Sequence, residues 1–176
     1  RMQRSNSSAE SSRVWGGEDI HVGIYHSGAD PIVEASRRTV EVMAAMLPEQ
    51  PGKAQVLDLG AGYGGAERYL AASKGYFVDC LNLSELHNER NRRVNAARGL
   101  DNRIRVFDGS FEDPFTFTNV TYDLVWSQDA FFHSTDHQRL FRDIDKVLKP
   151  GGHLIFTDLM QSEHCPKHVV DALLER

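Results

Sequence analysis

In the stretch VLDLGAGYGG, Val56 to Gly65, four glycines occupy six positions and Asp58 stands two residues ahead of the first of them. Glycine lacks the Cβ that would hold a ligand away from the backbone, so a strand–glycine turn–helix unit suits a nucleotide-like ligand. Gly60, Gly62 and Gly65 also satisfy G-x-G-x-x-G, the dinucleotide fingerprint. Asp58 argues against that ligand, because a carboxylate beside a pyrophosphate repels it. A ligand that carries positive charge and no phosphate tolerates the same carboxylate. The plainest alternative is a turn that holds no ligand. A second constellation is Asp129 with His133, four residues apart in WSQDAFFHSTD. On a short helical turn the two share one face, and histidine is the side chain most readily poised to take a proton near neutral pH.

The elements that must position these groups alternate. Val56, Leu57 and Leu59 read as a buried strand and AERYLAASKG as the helix after the turn. GYFVDCLNL is a strand, and SELHNERNRRVNAARG a helix capped by Ser84 and ended by Gly99. RIRVFDGS and YDLVWSQ are strands, HQRLFRDIDKVLK is a helix stopped by PGG, and HLIFTDLM is a fifth strand. Ahead of the first strand, PIVEASRRTVEVMAAML is a helix with an apolar face at Val33, Val40, Met43 and Leu47. Pro31 suits its first turn, with Asp30 as the cap. Strands separated by helices of about ten residues or more require crossovers, hence a parallel sheet. The expected fold is α/β, a parallel sheet with helices on both faces.

The chain of 176 residues, 40% hydrophobic, bounds one domain, expected over 14–176. The serine-rich segment 1–13, RMQRSNSSAESSR, reads as flexible. A net charge of −5 argues against an electrostatic nucleic-acid binder. No apolar run approaches the roughly 20 residues of a membrane span. Only Cys80 and Cys165 are present, without metal or disulfide spacing, and a cytoplasmic protein is expected. The chain stops inside a helix, Pro166 to Arg176, so a fragment of a longer chain that lacks its C-terminal strands is expected. An apolar edge at HLIFTDLM then favours aggregation or a homodimer.

D-x-G-x-G-x-G at the end of the first strand resembles the first motif of class I methyltransferases, which use S-adenosylmethionine. WGGEDIHVGIY, Trp15 to Tyr25, resembles the amino-terminal lid of the branch with tocopherol, cyclopropane fatty-acid and small-amine methyltransferases. WSQDAFFHSTD resembles a segment of phosphoethanolamine and glycine-betaine-forming enzymes, and the layout from Trp15 to Met160 is similar to sarcosine/dimethylglycine N-methyltransferases. The resemblance implies a Rossmann-like methyltransferase fold and methylation of sarcosine or dimethylglycine towards betaine, an osmolyte. Rival readings are a phosphoethanolamine N-methyltransferase or another small-molecule or lipid C- or O-methyltransferase. Outside the class stand an NAD-dependent oxidoreductase and a non-catalytic cofactor-binding domain.

The same resemblance distributes the residues. Asp58, Gly60, Ala61 and Gly62 line the cofactor turn. Asn82, beside Leu83, stands where the family keeps an acidic residue on the ribose hydroxyls; Asn can accept and donate one bond each but lacks the charge. Asp79, three residues back in the strand, is not expected to reach the crevice. Ser110 stands where the family often has Asp near the adenine, and Phe111 either lies against the purine or packs in the core. Gln128 is placed at the methionine part of the cofactor, and His21 at its carboxylate. Asp129 is expected to meet the cationic amine and His133 to remove or orient its proton. His137 extends the pair to D-x-x-x-H-x-x-x-H, but amine methylation needs no metal and none is expected. A quaternary ammonium product has no N–H to donate, so Trp15, Tyr25, Phe131 and Phe132 are candidate aromatic faces for the substrate.

Overall fold

The computed structural model describes residues 17–48, 53–113, 115, 119–160 and 162–164. Trp15, segment 1–13 and the helix expected from Pro166 lie outside the described residues.

Five strands follow the expected order: β1 Gln55–Leu59, β2 Phe77–Asn82, β3 Ile104–Asp108, β4 Tyr122–Gln128 and β5 Leu148–Thr157. They form one parallel sheet in the order β3-β2-β1-β4-β5. The helix α1 Ile32–Met46 precedes them, and three more connect strands: α2 Gly65–Tyr69 after β1, α3 Glu85–Ala97 after β2 and α4 His137–Val147 after β4. Alternation along the strands feeds two cores. Val56, Val78, Leu124 and Trp126 pack with Val40 and Met43 of α1 on one face. Leu57, Leu59, Leu81 and Val125 pack with Leu140 and Ile144 of α4 on the other. This is the doubly covered parallel sheet of a Rossmann-like fold, in which the central strands are apolar on both faces. Among the described residues no helix is long and apolar enough to cross a membrane.

Several local expectations are corrected. Asp30 does not cap α1. Its carboxylate accepts from His26 N, Ser27 Oγ and Arg38, closing its own turn, and Pro31 takes the cap position with the helix starting at Ile32. Val33 is 41% exposed and does not join the buried face, which Ala35, Val40, Met43 and Ala44 form instead. AERYLAASKG is not one regular helix: α2 widens into a π turn at Leu70–Lys74 and ends at Gly75. The stretch LKPGG belongs to β5, which begins at Leu148 opposite Tyr122 and recovers register at His153 opposite Leu124, while 158–160 lie beyond it. The cap of α3 is as expected, with Ser84 Oγ accepting the His87 N–H.

Candidate functional site

The sheet order reverses between β1 and β4, and crevices open at the carboxyl ends of strands at such a point. A cavity of about 660 Å³ lies there, a size that suits a small organic ligand. Its floor is the turn after β1, its flanks are the ends of β2, β3 and β4, and residues 18–21 form its roof.

The glycines of the turn make room for protein as well as for ligand. A Cβ on Gly65 would stand 1.8 Å from Asp19 Oδ1, and one on Gly62 would stand 2.8 Å from Ile20 Cδ1. The turn is therefore glycine-rich partly because the roof packs down onto it. Side chains fasten that roof. Glu18 pairs with Arg68 at 3.1 Å and Arg98 at 2.6 Å, and Asp19 Oδ2 with Arg37 at 3.2 Å. Asp129 Oδ2 accepts the Val22 N–H at 2.6 Å, and Ser36 Oγ donates to the His21 carbonyl at 3.1 Å. Arg68 is itself buried, donating to Asn91, Asn95 and the Tyr63 carbonyl.

Every residue expected at the cofactor lines this cavity: Asp58 with Gly60, Ala61 and Gly62; Asn82 with Leu83; Ser110 with Phe111; and His21 with Gln128. Asp129 and His133 line it as well. Tyr25 and Phe132 do not; both are exposed, and the Phe132 ring lies 3.8 Å from the His133 ring. Phe131 is core, edge-on to Phe111 at 6.0 Å. Asp79 is away from the cavity, paired with Arg105 and accepting the Tyr122 hydroxyl.

Three of the expected roles change in detail. Asn82 Oδ1 accepts the Gly62 N–H at 3.3 Å while its Nδ2 donates to Asn88 at 2.9 Å, so the amide holds the turn and keeps only an oxygen lone pair for a ligand hydroxyl. Asp129 is not on a helical turn with His133: its φ is 49°, and the 3-10 turn begins after it at Phe131. Asp58 is buried against Glu67; burial, then the Glu67 carboxylate, pushes it well above the usual carboxylate range. A raised Asp58 favours its neutral form, so the repulsion of a pyrophosphate by Asp58 is weaker than its residue type implies.

The roof residues Glu18 and Asp19 had no expected role. Their signal was present as two consecutive carboxylates inside the lid segment. Three enclosed side-chain atoms of residues around the cavity have no hydrogen-bond partner: Asp19 Oδ1, His21 Nε2 and Gln128 Nε2.

Residues 57–156 match the family model described as a methyltransferase domain. The chain is 49% identical over 164 residues to sarcosine/dimethylglycine N-methyltransferase from Aphanothece halophytica, covering 93% of this chain and 59% of that protein. It is 41% identical to dimethylglycine N-methyltransferase from Parasynechococcus marenigrum, over 93% of this chain and 58% of the relative. A crystal structure of a protein assigned as a sarcosine dimethylglycine methyltransferase, from Galdieria sulphuraria, superposes with a TM-score of 0.84 at 42% identity, covering 98% of this chain and 66% of that one. The chain thus spans 59% and 58% of the length of the two curated relatives. With its family-model match, its parallel sheet and its switch-point cavity, the chain belongs to the methyltransferase domain family.

Proposed function

We propose that this chain is the cofactor-binding part of an S-adenosylmethionine-dependent N-methyltransferase that converts sarcosine and dimethylglycine towards glycine betaine. The observation that carries the cofactor is the cavity of about 660 Å³ at the carboxyl ends of the strands, lined by the glycine turn together with Asn82, Ser110, Phe111 and Gln128. The relatives at 49% and 41% identity support the acceptor. S-adenosylmethionine supplies an activated methyl group on a sulfonium.

The residues divide the work by position. Gly60, Ala61 and Gly62 present backbone to the ligand, and Asp58 shapes the turn from below. Asn82 offers an oxygen to a ribose hydroxyl, with Leu83 alongside. Ser110 Oγ accepts the Glu112 N–H at 3.0 Å and keeps its own hydroxyl proton for the adenine. Phe111 gives the purine an apolar wall. Gln128 Oε1 accepts from Trp126 Nε1 at 3.1 Å, which fixes the amide at the end of β4, beside the methionine part of the cofactor. His133 takes or orients the proton of the bound amine, leaving the nitrogen lone pair free. Trp15, Tyr25 and Phe132 are proposed faces for a methylated ammonium.

The test is transfer of labelled methyl groups from S-adenosylmethionine to sarcosine, dimethylglycine, glycine and phosphoethanolamine. Label in dimethylglycine and betaine is expected. Label confined to phosphoethanolamine, or in no amine, overturns the reading.

A further inference from the structure

His133 stands at the end of the 3-10 turn Phe131–His133 and is exposed. A proton acceptor works only within hydrogen-bond reach of its proton, and a misplacement of about 1 Å can cost roughly 100-fold in rate. A single 3-10 turn holds its own end loosely. It is closed by the His133 N–H to the Ala130 carbonyl and the Ser134 N–H to the Phe131 carbonyl. A group outside the turn must fix the residues that leave it.

That group is Glu112, in the loop after β3. Its Oε1 accepts from the Ser134 hydroxyl at 2.7 Å, and its Oε2 accepts from both the hydroxyl and the N–H of Thr135. Ser134 is buried, so its bond is sheltered from water. Hydrogen bonds from Thr135, then Ser134, hold the Glu112 carboxyl below the usual carboxylate range, so both oxygens accept in the charged form. The main chain of Glu112 is anchored as well. Its N–H donates to Ser110 Oγ at 3.0 Å, and its carbonyl accepts from Arg139 of α4. Ser110, Glu112 and His133 all line the cavity. One residue therefore joins the loop that carries Ser110 and Phe111 to the segment that carries His133.

We propose that Glu112 is the positioning residue for His133, clamping Ser134 and Thr135 so that the imidazole is set against the amine; the inference rests on the N-methyltransferase reading above. Glu112 acts through the two residues that follow His133 and not by touching the amine.

The test is a double-mutant cycle on turnover of dimethylglycine at saturating S-adenosylmethionine, with amide hydrogen exchange at Thr135 and NMR of the His133 ring beside it. Glu112→Ala should lower kcat roughly 10- to 100-fold. It should also quicken exchange at Thr135 and shift the His133 ring signals, with little change in S-adenosylhomocysteine affinity. Glu112→Gln should recover most of the loss, since its amide oxygen still accepts from Thr135 and its nitrogen can donate to Ser134 Oγ. Joined to His133→Ala, Glu112→Ala should cost little further, because the group it positions is gone. Where Glu112→Ala does not fold, Thr135→Val takes its place, removing one hydroxyl donor and keeping the carboxylate. Losses that add in the double variant overturn the proposal, as does a Gln variant no better than Ala. Wild-type turnover in His133→Ala overturns it by leaving nothing to position. A wild-type chain that methylates no amine overturns the function reading instead. Unmoved Thr135 exchange and His133 ring signals in Glu112→Ala overturn the clamp itself, whatever the activity.

Discussion

Asp129 and Val22 lie 107 residues apart in the chain and meet through one hydrogen bond, the Val22 N–H to Asp129 Oδ2 at 2.6 Å. The bond ties the roof to the end of β4, across the mouth of the cavity. Asp129 reaches it from a left-handed backbone, φ 49°, with its own N–H donating to the Thr157 carbonyl at 2.9 Å. Asp and Asn tolerate that conformation better than other side chains. Asp129→Ala removes the acceptor and puts a less tolerant residue at that φ. It should cost roughly 1–3 kcal/mol of stability. Hydrogen exchange at the Val22 amide should quicken together with a weaker affinity for S-adenosylhomocysteine. Unchanged protection at Val22 in a folded variant contradicts the latch.

Gly65→Ala tests the packing of the roof on the turn. The new Cβ would meet Asp19 Oδ1 at 1.8 Å and the Glu18 carbonyl at 2.9 Å, so residues 18–20 must lift. Limited proteolysis should then cut near Glu18, where the wild-type chain resists. Gly28→Ala is the control, since a Cβ there meets nothing within 4 Å. Equal resistance in both variants would show that the roof can shift without opening.

The framework was legible because its signals are local. Continuous apolar runs gave the buried strands, and Ser84 with Gly99 bounded α3. The residues around the cavity were legible because a motif at a strand end falls at the crevice once the sheet is parallel. What was not legible depends on contacts between distant segments. Asp30 competes between capping α1 and bonding His26, Ser27 and Arg38, and its type alone does not say which wins. Asp19 gains its place only when the roof settles on Gly65. The spacing of Asp129 and His133 suggested a shared helical face, which the positive φ at Asp129 breaks. Asp58 is raised by burial first and then by Glu67, a residue of the next helix that no motif brings to mind.

That acid pair has a consequence for stability. Asp58 and Glu67 are both fully enclosed, and both are raised, in each case by burial first. A carboxyl whose folded-state affinity for protons exceeds its unfolded one stabilises fully below the unfolded value. That contribution is lost as pH rises through the raised folded value. Glu67→Gln removes the like charge and keeps an oxygen to accept from Asn91. Between mildly acid and neutral pH the melting temperature of the wild-type chain should therefore fall further than that of Glu67→Gln. Parallel curves for the two proteins would locate the pH dependence elsewhere.

His133 is the group on which the proposed chemistry turns. It lines the cavity, its ring lies against Phe132, and its backbone is held by the N–H bond to the Ala130 carbonyl at 3.1 Å. Loss of the imidazole should leave the turn standing, because no bond of that turn uses the side chain. His133→Ala should then lower turnover of dimethylglycine by roughly 10² to 10⁴, the usual worth of a positioned acid or base. Affinity for S-adenosylhomocysteine should stay near the wild-type value, since the proposed partner of the imidazole is the acceptor and not the adenosine. The deficit should narrow at high pH, where solvent removes the proton of the amine unaided. A purely structural histidine would instead lower turnover by the same factor at every pH. A variant with wild-type turnover throughout would leave proximity and orientation as the source of rate.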